Sequence, residues 1–198
     1  MKTLRKVMLT VMMVMVAAVG FANGNKPEVN VKALGAKVVS VQAQGLGNSE
    51  TKVQIKNENG VILHQLVADN SDKYVKRLDL TALPEGNYTL ELENETSFTA
   101  TPIKLEAEVA KVMSQDQVMI IKPVVRQNGN MLDLIMTGDT ATSVDVTIYD
   151  RNLKPVFKET VDGSTELRRY DLSRLGNGGY RIKLNARGKE FIQFVALR

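Results

Sequence analysis

The stretch DLSRLGNGGYRIKL, Asp171 to Leu184, has an earlier counterpart in the same chain, DLTALPEGNYTLEL, Asp79 to Leu92. Aligned without a gap, Asp79, Leu80, Leu83, Tyr88 and Leu92 meet Asp171, Leu172, Leu175, Tyr180 and Leu184, a separation of 180 − 88 = 92 positions. Further out, Val39, Val41, Val53 and Ile55 meet Leu132, Leu134, Val146 and Ile148 at 132 − 39 = 93 positions, and Gly45 meets Gly138. An offset held across several segments, with one residue of gap, marks one module used twice.

Each module reads as a series of short strands. Val29 and Val31, then Val39, Val41 and Ala43, alternate with polar residues, the period of a strand with one wet face. Asn59-Gly60 stands between two β-type runs and predicts a type I′ hairpin turn. Tyr74 to Leu80, the Tyr88 strand and Phe98 to Leu105 complete about seven strands with no convincing helix. Glu106 to Gln117, rich in charge and Gln, reads either as one turn of helix or as an extended linker. A second series follows, from a strand over Val118 to Val125 and a turn at Asn128-Gly129 to a last strand over Phe191 to Leu197.

Short strands at this spacing with turn signals between them indicate a sandwich and not a parallel sheet. The fold expected is all-β, two tandem immunoglobulin-like (fibronectin type III-like) antiparallel β-sandwiches. The expected layout is a signal peptide at 1–22, module 1 at 23–105, a linker at 106–117 and module 2 at 118–198. LPEGNY, Leu83 to Tyr88, looks like the corner before the penultimate strand of such sandwiches. There a Tyr ring enters the core while its hydroxyl bonds the backbone upstream. Leu83, Gly86 and Tyr88, with Leu175, Gly179 and Tyr180, are the expected corner residues, and Gly178 is the alternative to Gly179. The glycines are expected to supply a backbone conformation that a Cβ disfavours.

The chain begins with Lys2, Arg5 and Lys6 and no acid, then runs from Val7 to Phe21 with Thr10 as its only polar side chain. That run is shorter than the roughly 20 residues of a membrane-spanning helix and ends at Gly20-Phe21-Ala22, so it reads as a signal peptide cleaved after Ala22. No membrane span is expected in the mature chain. Removal takes Lys plus Arg from 26 to 26 − 3 = 23 against 22 acids, a net charge of 23 − 22 = +1. Interspersed charges near neutrality argue against nucleic acid as a partner. Cysteine is absent, which excludes disulfides, thiolate metal sites and a cysteine nucleophile. Export without disulfides suits the envelope of a Gram-negative bacterium: periplasm, outer surface or medium.

VTIYDRNLKPV (Val146 to Val156), DLSRLGNGGYRIKL and the ending KEFIQFVALR resemble the C-terminal sorting domain of type IX secretion cargo in Bacteroidetes. They are also similar to small secreted Bacteroides proteins of unknown function built on that sandwich. The resemblance implies an exported, non-catalytic protein with a sorting-like C-terminal domain. The hairpin departs from the pattern at Asn152-Leu153-Lys154, where Asn-Gly-Lys is usual, and no large cargo domain precedes it. In such a host Asp139-Thr140-Ala141 fits a short acceptor for O-glycosylation, which makes Thr140 a candidate, while the sequons at Asn87 and Asn94 are expected to be idle.

No constellation points to a reaction. His64, the only histidine, has neither a triad nor a metal cluster around it. Asp133, Asp139, Asp145 and Asp150 do not follow a calcium loop, and no glycine-rich phosphate loop is present. No catalytic, metal or cofactor site is expected. The function expected is a structural or protein-interaction role with another envelope protein as partner; the alternative is a carbohydrate-binding module. A coplanar exposed cluster among Tyr74, Tyr149, Phe157 and Tyr170 would favour glycan, and its absence would favour the interaction role.

Overall fold

A computed structural model of the protein describes residues 26–47, 49–68, 70–136 and 143–198. Ala22 and Thr140 lie outside them. The first module consists of β1 (Glu28–Ala33), β2 (Val38–Gln44), β3 (Thr51–Asn57), β4 (Ile62–Ala68), β5 (Lys73–Asp79), β6 (Gly86–Glu93) and β7 (Ser97–Leu105). β1, β2 and β5 form one sheet, and β4, β3, β6 and β7 form the other. This is the ABE and C′CFG arrangement of a fibronectin type III-like sandwich. Alternation builds the core between the sheets: Val39 and Val41 from one and Val53, Ile55, Leu90 and Ile103 from the other are almost fully buried.

The second module repeats the plan with β10 (Val124–Asn128), β11 (Met131–Ile135), β12 (Val144–Tyr149), β13 (Pro155–Val161), β14 (Leu167–Asp171), β15 (Gly178–Ala186) and β16 (Lys189–Leu197). Its sheets run β10-β11-β14 and β13-β12-β15-β16. Registers coincide as well as order. Ile55 faces Leu90 as Ile148 faces Ile182, Val39 faces Leu78 as Leu132 faces Tyr170, and the C–C′ pairing is irregular after Ile55 and after Ile148 alike. The gap between the repeats falls in the C′–E loop, because 161 − 68 = 93 at the end of C′ and 167 − 75 = 92 in strand E. Surface loops absorb such a deletion without disturbing the sheets.

The hairpin turns depart from the sequence reading in one place. At Asn59-Gly60 only Gly60 has positive φ (77°), and its N–H donates to Asn57 O at 2.9 Å, so the turn is not type I′. It is a type I-like turn closed by one left-handed residue. Leu153 takes the equivalent place in the second module with φ 60°, a conformation a branched side chain resists. Two successive residues with positive φ occur instead at Arg187 and Gly188, and at Gly35 and Ala36 between β1 and β2.

The largest difference from expectation lies between the modules. Glu106 to Gln117 contains one 3-10 turn, Ser114–Asp116, and its extended part is paired with the first sheet. The chain reverses at Glu106, whose N–H donates to Val109 O at 2.9 Å, and runs back antiparallel along β7. β8 (Ala110–Val112) pairs with Ile103 to Leu105, a 3-10 turn follows at Ser114–Asp116, and β9 (Val118–Ile121) pairs with Ser97 to Ala100. Val118 to Val125 is thus two strands and not one. β9 belongs to the sheet of the first module, and β10 opens the second after Lys122-Pro123, where the proline has no N–H to continue a ladder.

Candidate functional site

The repeated stretches fold into corners. The Tyr88 hydroxyl donates to Pro84 O at 2.8 Å, and the Tyr180 hydroxyl to Gly176 O at 2.7 Å. Tyr88 is buried and Tyr180 half-buried, and Leu83 and Leu175 pack against the respective cores. The special glycine of the second corner is Gly178 and not Gly179. Gly178 and Gly86 share φ 153°, in keeping with the 92-residue offset (178 − 86 = 92), whereas Gly179 has no positive φ. Both hydroxyls bond the backbone of their own corner, and Tyr180 also lines a shallow cleft with Asp150, Arg151 and Asn177.

The polar residues singled out from the sequence hold loops and ladders. Asp133 makes a two-pronged pair with Arg169 at 2.6 and 2.7 Å, and the Arg169 hydrogen bond keeps the carboxyl below its ordinary range against a smaller opposing effect of burial. Asp145 accepts from the Thr160 hydroxyl at 2.7 Å, and Asp150 accepts the N–H groups of Asn152 and Lys154 in the C–C′ turn. Asn94 is buried. Its amide nitrogen donates to Leu46 O, and its oxygen accepts the N–H groups of Thr96 and Ser97, so it shapes the F–G turn from within. Asn87 is exposed on β6. His64 lies exposed on β4. Among the described residues no group of three His, Asp or Glu side chains is placed to hold a metal ion.

The four aromatics that would mark a glycan platform do not share a plane. Tyr170 is buried, Tyr74 and Tyr149 are half-buried, and Phe157 meets Tyr170 edge-on at 68° with ring centres 5.3 Å apart. Burial raises the hydroxyl pKa of both Tyr74 and Tyr170. These rings are packing groups.

Two features were not visible in the sequence. The first is a joint. Glu93, at the end of β6, accepts from Lys122 Nζ at 2.8 Å and from Lys189 Nζ at 3.0 Å, uniting both modules and the segment between them. Each lysine also covers a ring: Lys122 lies 5.3 Å from the Phe191 centre of the second module, and Lys189 3.9 Å from that of Phe98 in the first. Beneath them Phe98 of β7 and Ile120 of β9 are buried in the core of the second module. Burial pushes the Glu93 pKa up, but the Lys122 and Lys189 hydrogen bonds outweigh it, and the net shift is downward.

The second feature is apolar surface on strands at sheet edges. On β4 and the turn before it, Val61, Ile62, Leu63 and Val67 are 43 to 54% exposed. On β16 Phe194 is 66% and Ile192 50% exposed, with the Arg181 guanidinium 5.3 Å from the Phe194 ring centre. At the joint lie a cleft of about 200 Å³ lined by Met119, Ile120, Pro123, Met136 and Val144, and one of about 300 Å³ lined by Glu93, Lys122, Glu190 and Phe191.

No family model and no curated protein matches the sequence. Solved structures with a likeness include a biofilm-associated protein, BSP domain, at 14% identity and TM-score 0.30, over 84% of this chain and 29% of that one. A two-domain fibronectin type III segment of chicken tenascin aligns at 10% identity and TM-score 0.31, over 85% of this chain and 97% of the segment. The Bacillus anthracis TIE protein aligns at 14% identity and TM-score 0.26, over 88% and 38% of the two chains. The sheet order and registers define this chain as a tandem fibronectin type III-like β-sandwich protein. No helix among the described residues is long and apolar enough to cross a membrane.

Proposed function

We propose that the protein is a non-catalytic, exported component of a Gram-negative envelope or surface, acting as a structural and protein-interaction module with another envelope protein. The observation that supports this reading is where the apolar surface lies: on edge strands, at Val75 of β5, Leu63 and Val67 of β4, Leu167 of β14, Phe157 of β13 and Phe194 of β16. Of the four aromatics only Phe157 is exposed, and it meets Tyr170 edge-on, which removes support from the glycan alternative. Export rests on the charged start, the apolar run and the small residues before the Ala22 cleavage point. The sorting-like role of the second module rests on its sequence resemblance, and Thr140 as a glycan acceptor on the Asp-Thr-Ala triplet.

In this reading the first module extends through Ile121, since β8 and β9 complete its sheet, and the second begins at Pro123. Tyr88 and Tyr180 are corner pins whose hydroxyls hold the crossing between sheets. The test is fractionation of host cells carrying a photo-crosslinking amino acid in place of Phe194. A discrete cross-linked species in the envelope fraction, with the leader removed, is expected. Protein found in the cytosol with its leader intact, or exported with no cross-linked partner, contradicts the proposal.

A further inference from the structure

Resting on that interaction role, we propose that the outer face of the β13-β12-β15-β16 sheet docks an acidic segment of another protein, whose carboxylate meets Arg181 while its apolar side chains meet Tyr149 and Phe194. Register puts these three side chains in one row, Arg181 standing opposite Tyr149 of β12 and opposite Phe194 of β16. On β15 they share the side away from the core, since Ile182, Leu184 and Ala186 are buried and alternate with Arg181, Lys183 and Asn185. In the neighbouring row Thr147 stands between Lys158 and Lys183, and Lys183 faces Ile192. The two rows hold three cations and no acid.

The fold does not require this charge. Lys56 holds the place of Tyr149 in the first module (149 − 56 = 93), Thr89 that of Arg181 (181 − 89 = 92) and Glu91 that of Lys183 (183 − 91 = 92). Pro102 stands where Phe194 does (194 − 102 = 92). Lys56 and Glu91 pair at 2.6 Å, and Gln54 bonds Gln65 at 2.6 Å, so the first face is neutralised by its own side chains. One backbone plan therefore carries a neutral face in one module and a cationic, aromatic face in the other.

The occupant follows from what the second face leaves unmatched. Glu190 of the next row pairs with Lys183, and Asp145 accepts from the Thr160 hydroxyl. Among the described residues no acid pairs with Arg181 or Lys158. Arg181 rests against the Phe194 ring, and its Nε is buried without an acceptor. A guanidinium held on a ring offers the planar fork that a carboxylate fills with two hydrogen bonds. Arginine and aromatic rings are also the groups enriched at the centre of protein interfaces. A basic or purely apolar partner would bury Arg181 uncompensated, whereas an acidic one flanked by apolar groups matches the row.

Fluorescence anisotropy of the purified full-length protein with two labelled peptides, Leu-Ser-Glu-Ser-Leu and Leu-Ser-Lys-Ser-Leu, tests the assignment. In both, the central charge and the two leucines lie on one side of an extended chain. The Glu peptide is expected to bind with a dissociation constant on the order of 100 μM and the Lys peptide at least about tenfold more weakly. Raising salt from about 50 to about 500 mM weakens the Glu peptide. Arg181→Gln weakens it about tenfold, and Arg181→Glu reverses the preference between the peptides. Thr89→Glu, at the same place in the first module, leaves binding unchanged. An unchanged circular dichroism spectrum shows that each variant is folded. Equal binding of the two peptides, binding of neither up to about 1 mM, or an Arg181→Gln protein that binds like the wild type overturns the proposal. So does a loss on Thr89→Glu as large as that on Arg181→Glu. Polygalacturonate that binds where the Glu peptide does not would assign the face to an acidic glycan and overturn it too. Failure of the peptide preference beside an intact cross-link from position 194 in the envelope would remove the acidic partner and leave the interaction role standing.

Discussion

The two sandwiches have the same strand order, the same registers and the same interruption in C′, yet they treat their edges in opposite ways. In the first, the G strand β7 is covered by the returning chain as β8 and β9, while the C′ strand β4 is bare and apolar. In the second, the C′ strand β13 carries Pro155, Lys158 and Glu159 beside exposed Val156 and Phe157, while among the described residues the G strand β16 pairs only with β15 and exposes Phe194. Gln127 closes one carbonyl of that last edge, donating to Ala196 O at 2.7 Å. Core positions, which fix the plan, are therefore shared. What differs is the surface through which a sheet meets another chain.

Substitutions at paired positions break or sharpen this comparison. The largest effect is expected at the joint. Phe98→Ala removes a ring that belongs by strand to the first module and by packing to the second, at a cost of about 3 kcal/mol, and both modules lose stability. Denaturant unfolding followed by probes in each module checks this; an effect confined to the first module would show that the ring is not shared. Next come the corners. Tyr88→Phe removes a part-buried hydrogen bond to Pro84 O and costs about 1 kcal/mol, while Tyr180→Phe, at an exposed one, costs less. Equal losses would mean that burial does not distinguish the two.

The C–C′ turns give an effect of opposite sign in the two modules. Leu153→Gly relieves a left-handed leucine and raises stability by about 1 kcal/mol, whereas Gly60→Leu lowers it by a similar amount. Thermal melts of the two variants should move in opposite directions. The effect at Glu93 depends on pH. Its folded pKa is lower than its unfolded value, so its contribution is complete above about pH 4.3, the unfolded value, and is lost as pH falls through the folded value. Glu93→Gln is expected to cost about 1 kcal/mol at neutral pH and to reduce the loss of stability on acidification. Parallel acid titrations of variant and parent would contradict the joint.

The sandwich plan was legible because its signal is local: alternation of apolar residues, glycine-bearing turns and an offset that returns for Val39, Ile55, Leu90 and their counterparts. In the repeated stretches adjacent glycines hid which one carries the positive φ, and only the backbone assigns it to Gly178. The returning segment was not legible. Alternation in Val118 to Val125 says that a strand forms but not which sheet receives it, and the short β8 lies within a run too charged to read as buried. Nor does a sequence reveal that Glu93, Lys122 and Lys189, up to 96 residues apart, converge on one point. The open edge of β4 showed only as an apolar run after Asn59-Gly60. Its meaning comes from comparison with β13.

The central claim is that the returning segment makes two repeated sandwiches into one body. Scanning calorimetry of the purified protein tests it most directly, by comparing the measured unfolding enthalpy with the van't Hoff enthalpy. A single transition with the two enthalpies equal, converted by Phe98→Ala into two separate transitions, is the predicted result. Two independent transitions in the unmodified protein, unmoved by Phe98→Ala in the second module, would contradict it.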